Sequence, residues 1–327
     1  MSKLVTIFGG SGFVGRYIAR RMAAEGWRVR VAVRRPNEAM FVRPYGAVGQ
    51  VEPILCNIRD DASVVAAMHS VDVVINCVGV LNELGKNAFD AVQAEGAERI
   101  ARLAAAHGID RMVHISAIGA DLESDSEYAR TKAQGEAGVL QHMPDAVTLR
   151  PSVIFGTEDQ FFNRFAGMTR LSPFLPLVGA DTKFQPVYVD DVAQAAVQGA
   201  LGRASAGVYE LGGPEVKSFR ALMQQMLGVI HRRRIIIGMP FWVAKIMAGV
   251  LDIAKFVSFQ LFPNHILTRD QVKNLRRDNV VTEDAKGFAD LGIEPSTLES
   301  VLPEYLWKFR PSGQYDEIQN SAKNLRI

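Results

Sequence analysis

Cysteine is scarce in this 327-residue chain, which contains only Cys56 and Cys77. Both fall at the ends of predicted strands, and neither has a second ligand at the spacing of a zinc site. Two isolated thiols are too few for a disulfide framework or for iron–sulfur clusters. We therefore expect a protein of a reducing compartment that holds no metal.

A strong net charge is also missing, because 37 Lys and Arg face 35 Asp and Glu. Nothing in this overall balance points to nucleic acid as a partner. Because "MSKLVTIFGG" runs directly into an apolar strand, we expect no targeting leader in this chain. The charge is unevenly spread, however, and residues 217–280 carry eleven Lys and Arg against three Asp and Glu. This regional excess predicts a local interaction surface.

Short β-branched runs alternate with helical patterns through the first half of the chain. This alternation predicts parallel pairing in a doubly wound α/β sheet, the Rossmann fold. The predicted strands are 4–8, 28–33, 51–55, 71–78, 111–116 and 146–150, and the predicted helices are 13–25, 61–68, 88–107 and 128–141.

The alternation fades after about residue 150, where Pro and Phe become denser. We predict a nucleotide-binding Rossmann domain at 1–155, to which part of 180–215 returns. A smaller C-terminal α/β lobe is predicted at 156–310, and a polar tail at 311–327.

The segment "IFGGSGFVG" follows the first predicted strand and opens the first predicted helix. Its glycines have the spacing G-x-x-G-x-x-G, which permits a tight turn, close approach of backbone to a diphosphate, and close packing of helix on sheet. Free N–H groups at the helix N-terminus would hold the diphosphate. A turn of small residues that binds nothing is the alternative. The residues expected to bind a dinucleotide are Gly9, Gly10, Ser11, Gly12, Phe13, Val14 and Gly15.

Strand two ends in "VAVRRPNE", where a NAD-binding fold usually has an acid that bonds the ribose hydroxyls. Arg34 and Arg35 occupy that place, and a guanidinium can fork onto the 2′-phosphate of NADPH. We therefore predict NADPH (or NADP) as the cofactor. Two solvated surface arginines are the alternative.

Two further strand ends are expected to face the cofactor. After strand three, Asn57 and Ile58 would lie against the adenine, and Asp60 or Asp61 would cap the next helix. Strand four ends in "NCVG", residues 76–79, a turn of small residues where backbone can pass close to a ligand.

The stretch "SEYARTKAQGE" places Tyr128 and Lys132 four residues apart on one face of a predicted helix. Such a pair can be an acid/base device, because an ammonium lowers the pKa of a nearby phenol. An inert helix surface is the alternative.

In chain order, the glycine loop, "NCVG", "HIS", the Tyr–Lys spacing, "LRPSVIFG" and "VYVDDVA" resemble the short-chain dehydrogenase/reductase superfamily, extended or atypical branch. The resemblance implies that Lys132 binds the nicotinamide ribose and lowers the pKa of Tyr128, while a Ser or Thr beyond strand five holds the substrate oxygen. Ala117 and Ile118 stand where that hydroxyl is commonly found, and Gln93 replaces an Asn of the proton relay. Tyr128 is therefore only a candidate for catalysis.

The stretch 232–281 opens with Arg232, Arg233 and Arg234. Trp242 and a run of apolar residues follow, interrupted by Lys245, Asp252 and Lys255. A spanning helix needs about 20 uninterrupted apolar residues, so these charges argue against a membrane span. The charges share one side of a helical wheel, which predicts an amphipathic helix. A helix facing the core of the small lobe is one interpretation. Docking of 232–277 on a membrane surface or on an acidic partner is the other.

With this lobe included, residues 1 to about 310 resemble the short-chain-dehydrogenase-like accessory subunits of respiratory complex I, the alpha-subcomplex subunit nine family. The segments that carry this resemblance are "IFGGSGFVGRY", the arginines after strand two, "VHISAIGAD", "SEYARTKAQGE", "LRPSVIFGTEDQFFNRFA" and "LTRDQVKNLRRDNVV". It implies a tightly held NADPH that does not turn over, and other complex I subunits as partners. It also implies a role in stabilising or assembling the peripheral arm near the quinone site.

The same resemblance implies a peripheral location on the cytoplasmic face of a bacterial inner membrane, or on the matrix side in a mitochondrion. Two alternatives remain: a freestanding NADPH-dependent reductase or epimerase, and a redox-sensing regulator that binds NADP and a protein partner. The full predicted cofactor-binding set is Gly9, Gly10, Ser11, Gly12, Phe13, Val14, Gly15, Arg34, Arg35, Asn57, Ile58, Cys77, Val78, Gly79, Ser116, Tyr128, Lys132, Pro151 and Ile154.

Overall fold

A computed structural model of the chain describes residues 3–80, 88–246, 249, 268–311 and 313–315. Contacts between residues divide the chain into two compact units, each assembled from three separate segments. The first unit comprises Met1–Ser152, Val189–Gly212 and Val281–Glu294, and the second comprises Val153–Tyr188, Gly213–Val280 and Pro295–Ile327.

The first unit is built on a seven-stranded parallel sheet with the strand order β11-β6-β5-β4-β1-β2-β3. The direction of strand addition reverses between β1 and β4, which is where doubly wound sheets bind ligands at the carboxyl ends of their strands. Its strands are β1 at Leu4–Phe8, β2 at Arg28–Val33, β3 at Val51–Leu55, β4 at Val73–Asn76, β5 at Arg111–Ile115, β6 at Val147–Pro151 and β11 at Gly207–Leu211. The predicted Rossmann fold is confirmed.

Helices flank this sheet. They are α1 at Phe13–Ala24, α2 at Asp61–Ala67, α3 at Glu95–Ala106, α4 at Glu127–His142 and α6 at Val189–Ala200. The bounds of the first four agree closely with the sequence pattern, whereas the last one, at Val189–Ala200, was not among the predicted helices. The predicted cap of α2 is confirmed, because the Asp60 carboxylate accepts a hydrogen bond from the Ser63 amide at 3.2 Å.

Two segments of the first unit differ from the simple pattern. The helix predicted over 88–107 begins with a π-helical turn at Asp90–Ala94 before α3. Residues Pro36–Tyr45, after β2, form a 3₁₀ helix that the sequence pattern does not predict. π-Helical turns are uncommon and often mark functional sites, so the first difference bears on the site.

The second unit contains three small two-stranded sheets around an aromatic core. β7 at Ile154–Phe155 pairs with β10 at Val187–Tyr188, β9 at Lys183–Phe184 with β12 at Lys217–Ser218, and β8 at Phe174–Val178 with β13 at Ile235–Met239. Its helices are α5 at Phe162–Met168, α7 at Phe219–Val229, α8 at Arg269–Asn274 and α9 at Leu298–Leu306. The rings of Phe161 and Phe219 stack with centroids 5.5 Å apart at the centre of a phenylalanine cluster.

Much of the predicted amphipathic helix lies outside the described residues. Residues 241–246 are helical, with Ala244 buried and Trp242 67% exposed. Within the part of the chain that the structure describes, no helix combines the length and apolar character needed to cross a bilayer.

Candidate nucleotide-binding site

The phosphate loop joins β1 to α1 and is shaped by its glycines. Gly9 adopts a φ of 75°, in the left-handed region that favours glycine, and its carbonyl accepts a hydrogen bond from the Gly12 amide at 2.9 Å. Helix α1 starts at Phe13 with Gly12 as its N-cap, and neither a capping side chain nor a first-turn acid is present. The first amides of α1 are therefore oriented to bind an anion.

Gly15 brings helix α1 against the phosphate loop. A β-carbon on Gly15 would lie 2.5 Å from the Gly9 carbonyl oxygen and 2.7 Å from Cα of Gly10. Both neighbours are backbone atoms, which cannot move aside as a flexible side chain can. Only glycine therefore fits this position, as the sequence spacing predicts for the third glycine of the motif.

The turn after β4 contacts the same loop. A β-carbon on Gly9 would lie 3.2 Å from the carbonyl of Cys77 and 3.2 Å from the amide of Val78. Asn76 shapes this turn, because its Oδ1 accepts a hydrogen bond from the Val78 amide at 3.0 Å. Its Nδ2 lies 3.2 Å from Nδ1 of the buried His114. Asn76 therefore holds the turn through its hydrogen bond to Val78, and His114 contacts Asn76 in turn.

His114 is neutral in this arrangement. Burial, followed by the charge of Lys132, lowers the pKa of His114 to about 3. Because Nδ2 of Asn76 is a donor, Nδ1 of the neutral imidazole accepts and the proton lies on Nε2. Nε2 is buried and has no partner among the described residues.

Arg34 and Arg35 follow β2 and are both exposed. Arg35 forms an ion pair with Glu38 at 3.0 Å, with both side chains mostly in solvent. The 3₁₀ helix beyond them contacts helix α1, because the guanidinium of Arg16 lies 4.8 Å from the ring centroid of Phe41. Arg16 also donates to the carbonyl of Ser11 at 3.2 Å, so it joins the loop to the segment after β2.

Asn57 and Ile58 follow β3 as predicted, and their side chains have local roles. Oδ1 of Asn57 accepts a hydrogen bond from the Arg59 amide at 3.2 Å. A β-carbon on Gly96 would lie 2.8 Å from Cδ1 of Ile58, so Ile58 packs on the start of α3. Their contact with adenine stays a prediction.

Lys132 is buried in α4 near the ends of β4 and β5. Its Nζ donates a hydrogen bond to the carbonyl of Ile115 at 3.2 Å and lies 3.4 Å from the β-carbon position of Gly79. Burial lowers the pKa of Lys132 to about 8, while Glu136 and Cys77 act in the opposite direction. The side chain is therefore mainly an ammonium at neutral pH, held where parallel strands end.

Tyr128 lies one turn before Lys132 and is partly buried. Its ring meets that of Phe89 edge-on, with centroids 5.9 Å apart. Burial raises the pKa of Tyr128 to about 12, which disfavours the phenolate. This direction is opposite to the lowered phenol pKa that the resemblance implies.

Ser116 follows β5 and is almost fully buried. Its amide donates to the carbonyl of Leu149 at 2.7 Å, and its Oγ has no partner within the described part of the chain. Ala117 and Ile118 come next and offer no side-chain hydrogen bond. The Ile118 amide donates to the carbonyl of Pro151 at 3.0 Å, so this segment lies beside the end of β6.

Gln93 is buried in the π-helical turn and binds the loop after β4. Its Nε2 donates to the carbonyl of Val80 at 2.7 Å, and its Oε1 accepts from Oγ1 of Thr131 at 3.4 Å. A β-carbon on Gly135 of α4 would lie 2.2 Å from the Gln93 carbonyl oxygen. The absence of a side chain at Gly135 therefore lets the π turn approach α4.

The structure brings most of the predicted residues to one edge of the sheet. Gly9 of the loop contacts the turn at 77–78, and Gly79 lies beside Nζ of Lys132, which is bonded to the end of β5 just before Ser116. Pro151 ends β6 in the same unit, whereas Ile154 belongs to the second unit. Sequence reasoning did not select Asn76, His114 or Arg16 as site residues, although the segments "NCVG", "HIS" and "IFGGSGFVGRY" contain them.

Comparison with known proteins agrees with this geometry. Residues 5–212 match the model of the NAD dependent epimerase/dehydratase family. Over 317 residues the chain is 36% identical to NADH dehydrogenase (ubiquinone) 1 alpha subcomplex subunit 9, mitochondrial, of Arabidopsis thaliana, covering 95% of this chain and 79% of that protein. The chain belongs to this subunit 9 family, within the NAD dependent epimerase/dehydratase family.

The subunit 9 family extends to fungi. The NADH-ubiquinone oxidoreductase 40 kDa subunit, mitochondrial, of Neurospora crassa is 32% identical over 322 residues, covering 98% of this chain and 83% of that one. Among solved structures, an NADPH-dependent quinone oxidoreductase of Escherichia coli complexed with NADPH superimposes with a TM-score of 0.70 at 16% identity, covering 92% of this chain and 98% of that one. That last likeness supports the fold alone. The resemblance seen in the sequence of this subunit 9 family member is confirmed.

Proposed function

We propose that the chain is an accessory subunit of respiratory complex I that holds NADPH as a structural ligand without turning it over. The observation that carries this proposal is its similarity, over nearly its full length, to subunits of NADH:ubiquinone oxidoreductase at 36% and 32% identity. Its partners are then other complex I subunits. The proposed location is the peripheral arm near the quinone site, on the cytoplasmic face of a bacterial inner membrane or on the matrix side.

The residues at the strand ends fit NADPH. The uncapped start of α1 would hold the diphosphate, and the guanidinium groups of Arg34 and Arg35 would hold the 2′-phosphate. Lys132 and Ser116, whose Oγ has no partner among the residues that the structure describes, are buried polar groups that suit the nicotinamide end. When bound, NADPH would supply a potential hydride donor together with its own binding free energy.

Three features support a ligand that is held rather than consumed. Burial raises the pKa of Tyr128 to about 12, which makes its phenol a weaker acid for protonating a substrate oxygen. Ala117 and Ile118 cannot donate a side-chain hydrogen bond to a substrate carbonyl. Lys132 is accounted for by binding of the nicotinamide ribose alone. A bound nucleotide stabilises the native state by mass action, by about 2.7 kcal/mol when its concentration is 100 times its Kd.

The subunit assignment predicts that the chain migrates with complex I. When membranes are solubilised in mild detergent and run on a native gel, we expect the chain in a large band that oxidises NADH. In a strain that lacks the chain, the NADH oxidation of that band should fall. The wild-type chain and Tyr128→Phe should restore it equally, because the phenol is not used in chemistry.

A free, soluble dimer in the native gel would contradict the subunit assignment. Steady oxidation of NADPH by the purified chain with a metabolite, lost in Tyr128→Phe, would favour the second candidate, a freestanding NADPH-dependent reductase or epimerase. The observation that supports this candidate is the retained Tyr128–Lys132 pair, with Lys132 buried beside the end of β5.

The choice of NADPH over NADH is tested at the end of β2. We expect Arg34→Ala with Arg35→Ala to weaken NADPH binding by about 1.5–3 kcal/mol, roughly 10- to 150-fold, because charge-assisted hydrogen bonds to the 2′-phosphate are lost. NADH affinity should change little. Calorimetric titration of both nucleotides measures the difference, with Arg43→Ala as the control, since Arg43 is an exposed arginine that pairs with Glu52. Equal weakening of NADH and NADPH would refute the phosphate assignment.

Contact of 232–277 with a membrane surface stays a prediction, because residues 247, 248 and 250–267 lie outside the described residues.

A further inference from the structure

Five cationic side chains of the second unit lie around Phe309 and in the segment just before β13. The guanidinium of Arg170 lies 4.8 Å from the ring centroid and Nζ of Lys308 lies 5.4 Å from it, while Nε of Arg232 donates to the Phe309 carbonyl at 2.8 Å. We call this cluster the basic patch. Its members are Arg170, Arg232, Arg233, Arg234 and Lys308.

None of the five forms a salt bridge with an acid in the described ranges of the chain. The arginines instead repel one another: burial, and after it the charges of Arg234 and Arg170, lower the pKa of Arg232. A cluster of like charges without counter-charges costs free energy and makes the site attractive to an anion.

Backbone contacts explain where the arginines are anchored without neutralising them. Nε of Arg234 donates to the carbonyl of Thr169, just beyond α5, at 2.8 Å, and Arg170 donates to the carbonyl of Lys308. These carbonyls lie at the ends of helical turns, where the dipole provides only a partial negative charge. Five full charges therefore exceed what the helix ends can offset.

A surface depression of about 570 Å³ lies beside the patch, lined by Leu227, Gly228 and Arg232 to Arg234 among others. Next to it, the sheet of β8 and β13 turns an apolar face to solvent. Phe174 is paired with Ile235 in the sheet register, and these side chains are 48% and 62% exposed. Ile237, two residues along β13, is 46% exposed.

We propose that the basic patch and the adjoining face of β8 and β13 form a docking surface for an acidic polypeptide segment of a partner subunit. The inference rests on the proposed function, since it assumes a partner within an assembly. Carboxylates of the segment would pair with the guanidinium groups, and its apolar side chains would cover Phe174, Ile235 and Ile237. Arginine and aromatic residues side by side are typical of the energetic centre of protein interfaces.

The anchoring of the arginines favours a polypeptide over a lipid headgroup layer. Lysines on long flexible stems suit a fluid surface, whereas four of the five cations here are arginines, three of which are fixed by hydrogen bonds to carbonyls. A planar guanidinium held in one place pairs with a carboxylate in a defined geometry. The apolar residues beside it lie on a β-sheet, a rigid surface that a partner of complementary shape can pack against.

A charge-reversed variant tests the docking surface. Arg233→Glu with Lys308→Glu changes two exposed side chains that make no hydrogen bond to any described residue, so the fold and NADPH affinity should be retained. With a fluorescein-labelled oligoglutamate peptide as the probe, we expect affinity to fall roughly tenfold or more relative to the wild-type chain. The matched control is Arg43→Glu with Arg203→Glu, which makes the same charge change in the first unit and should retain peptide binding.

Incorporation into the native assembly is the second measurement. On native gels the charge-reversed chain should leave the large NADH-oxidising band, while the control variant stays in it. Equal peptide binding by both variants, or normal incorporation of the charge-reversed chain, would overturn the proposal. Binding of the wild-type chain to vesicles of phosphatidylcholine and phosphatidylglycerol, without binding to oligoglutamate, would overturn it in favour of lipid. If the wild-type chain itself is absent from the band, the subunit assignment fails and the peptide measurement alone decides the docking surface.

Discussion

Replacing Arg150 with methionine should lower the free energy of unfolding by about 3–5 kcal/mol, the usual cost of breaking a buried ion pair. Arg150 lies on β6 and forms a two-pronged contact with Glu136 of α4, with Nε–Oε1 and Nη2–Oε2 distances of 2.9 and 2.6 Å. Its Nη1 lies 3.6 Å from Oε1 of Glu210 on β11. The side chains of Glu136 and Glu210 are only 5% and 11% exposed, so the variant leaves two carboxylates buried without their cation.

Urea denaturation of the wild-type chain and of Arg150→Met at the same pH measures this loss.

The surface pair Arg203–Glu25 provides the matched control. Its side chains are 55% and 39% exposed, so Arg203→Met should cost less than about 1 kcal/mol. If Arg150→Met and Arg203→Met cost the same, the contact between β6 and α4 contributes no more than a solvated pair. A double-mutant cycle of Arg150→Met and Glu136→Gln would then show no coupling free energy between the two side chains.

Replacing Gly135 with alanine should lower the free energy of unfolding by about 3 kcal/mol, at the upper end of overpacking costs. The new β-carbon would lie 2.2 Å from the carbonyl oxygen of Gln93 and 3.3 Å from Cβ of Ala97. Alanine is favoured over glycine in a helix by about 1 kcal/mol at most, which is too little to offset a collision with backbone. The π turn would have to move, taking Gln93 away from Val80.

Gly228 in α7 is the control for this substitution. It is also helical, and a β-carbon there would meet nothing within 4 Å. Gly228→Ala should therefore stabilise the chain by about 0.5–1 kcal/mol in urea denaturation. A stabilising effect of Gly135→Ala would show that α4 and the π turn can separate at little cost.

The sequence predicted the nucleotide-binding unit well because its determinants are local. Buried parallel strands are nearly continuous apolar runs, and the segments "VVIN" and "RMVHI" have this pattern. The glycine spacing and the Asp60 cap are also properties of a few neighbouring residues. Such features can be recognised without knowing how the rest of the chain folds.

The remaining features depend on contacts between distant residues. The π turn at Asp90–Ala94 exists because Gln93 binds Val80 and because Gly135, more than forty positions later, leaves room for its carbonyl. The raised pKa of Tyr128 depends on burial, which the Tyr–Lys spacing does not reveal. Likewise, the three arginines at 232–234 gain Arg170 and Lys308 as neighbours only through folding.

The order of segments in the first unit has a consequence for biosynthesis. Its sheet is complete only when β11, at Gly207–Leu211, pairs with β6, and its last segment, Val281–Glu294, joins through Thr282, whose hydroxyl and amide both donate to Glu210. During translation the dinucleotide cleft therefore emerges from the ribosome long before the edge that supports it. The chain must stay protected from proteases and aggregation until nearly all of it has been made.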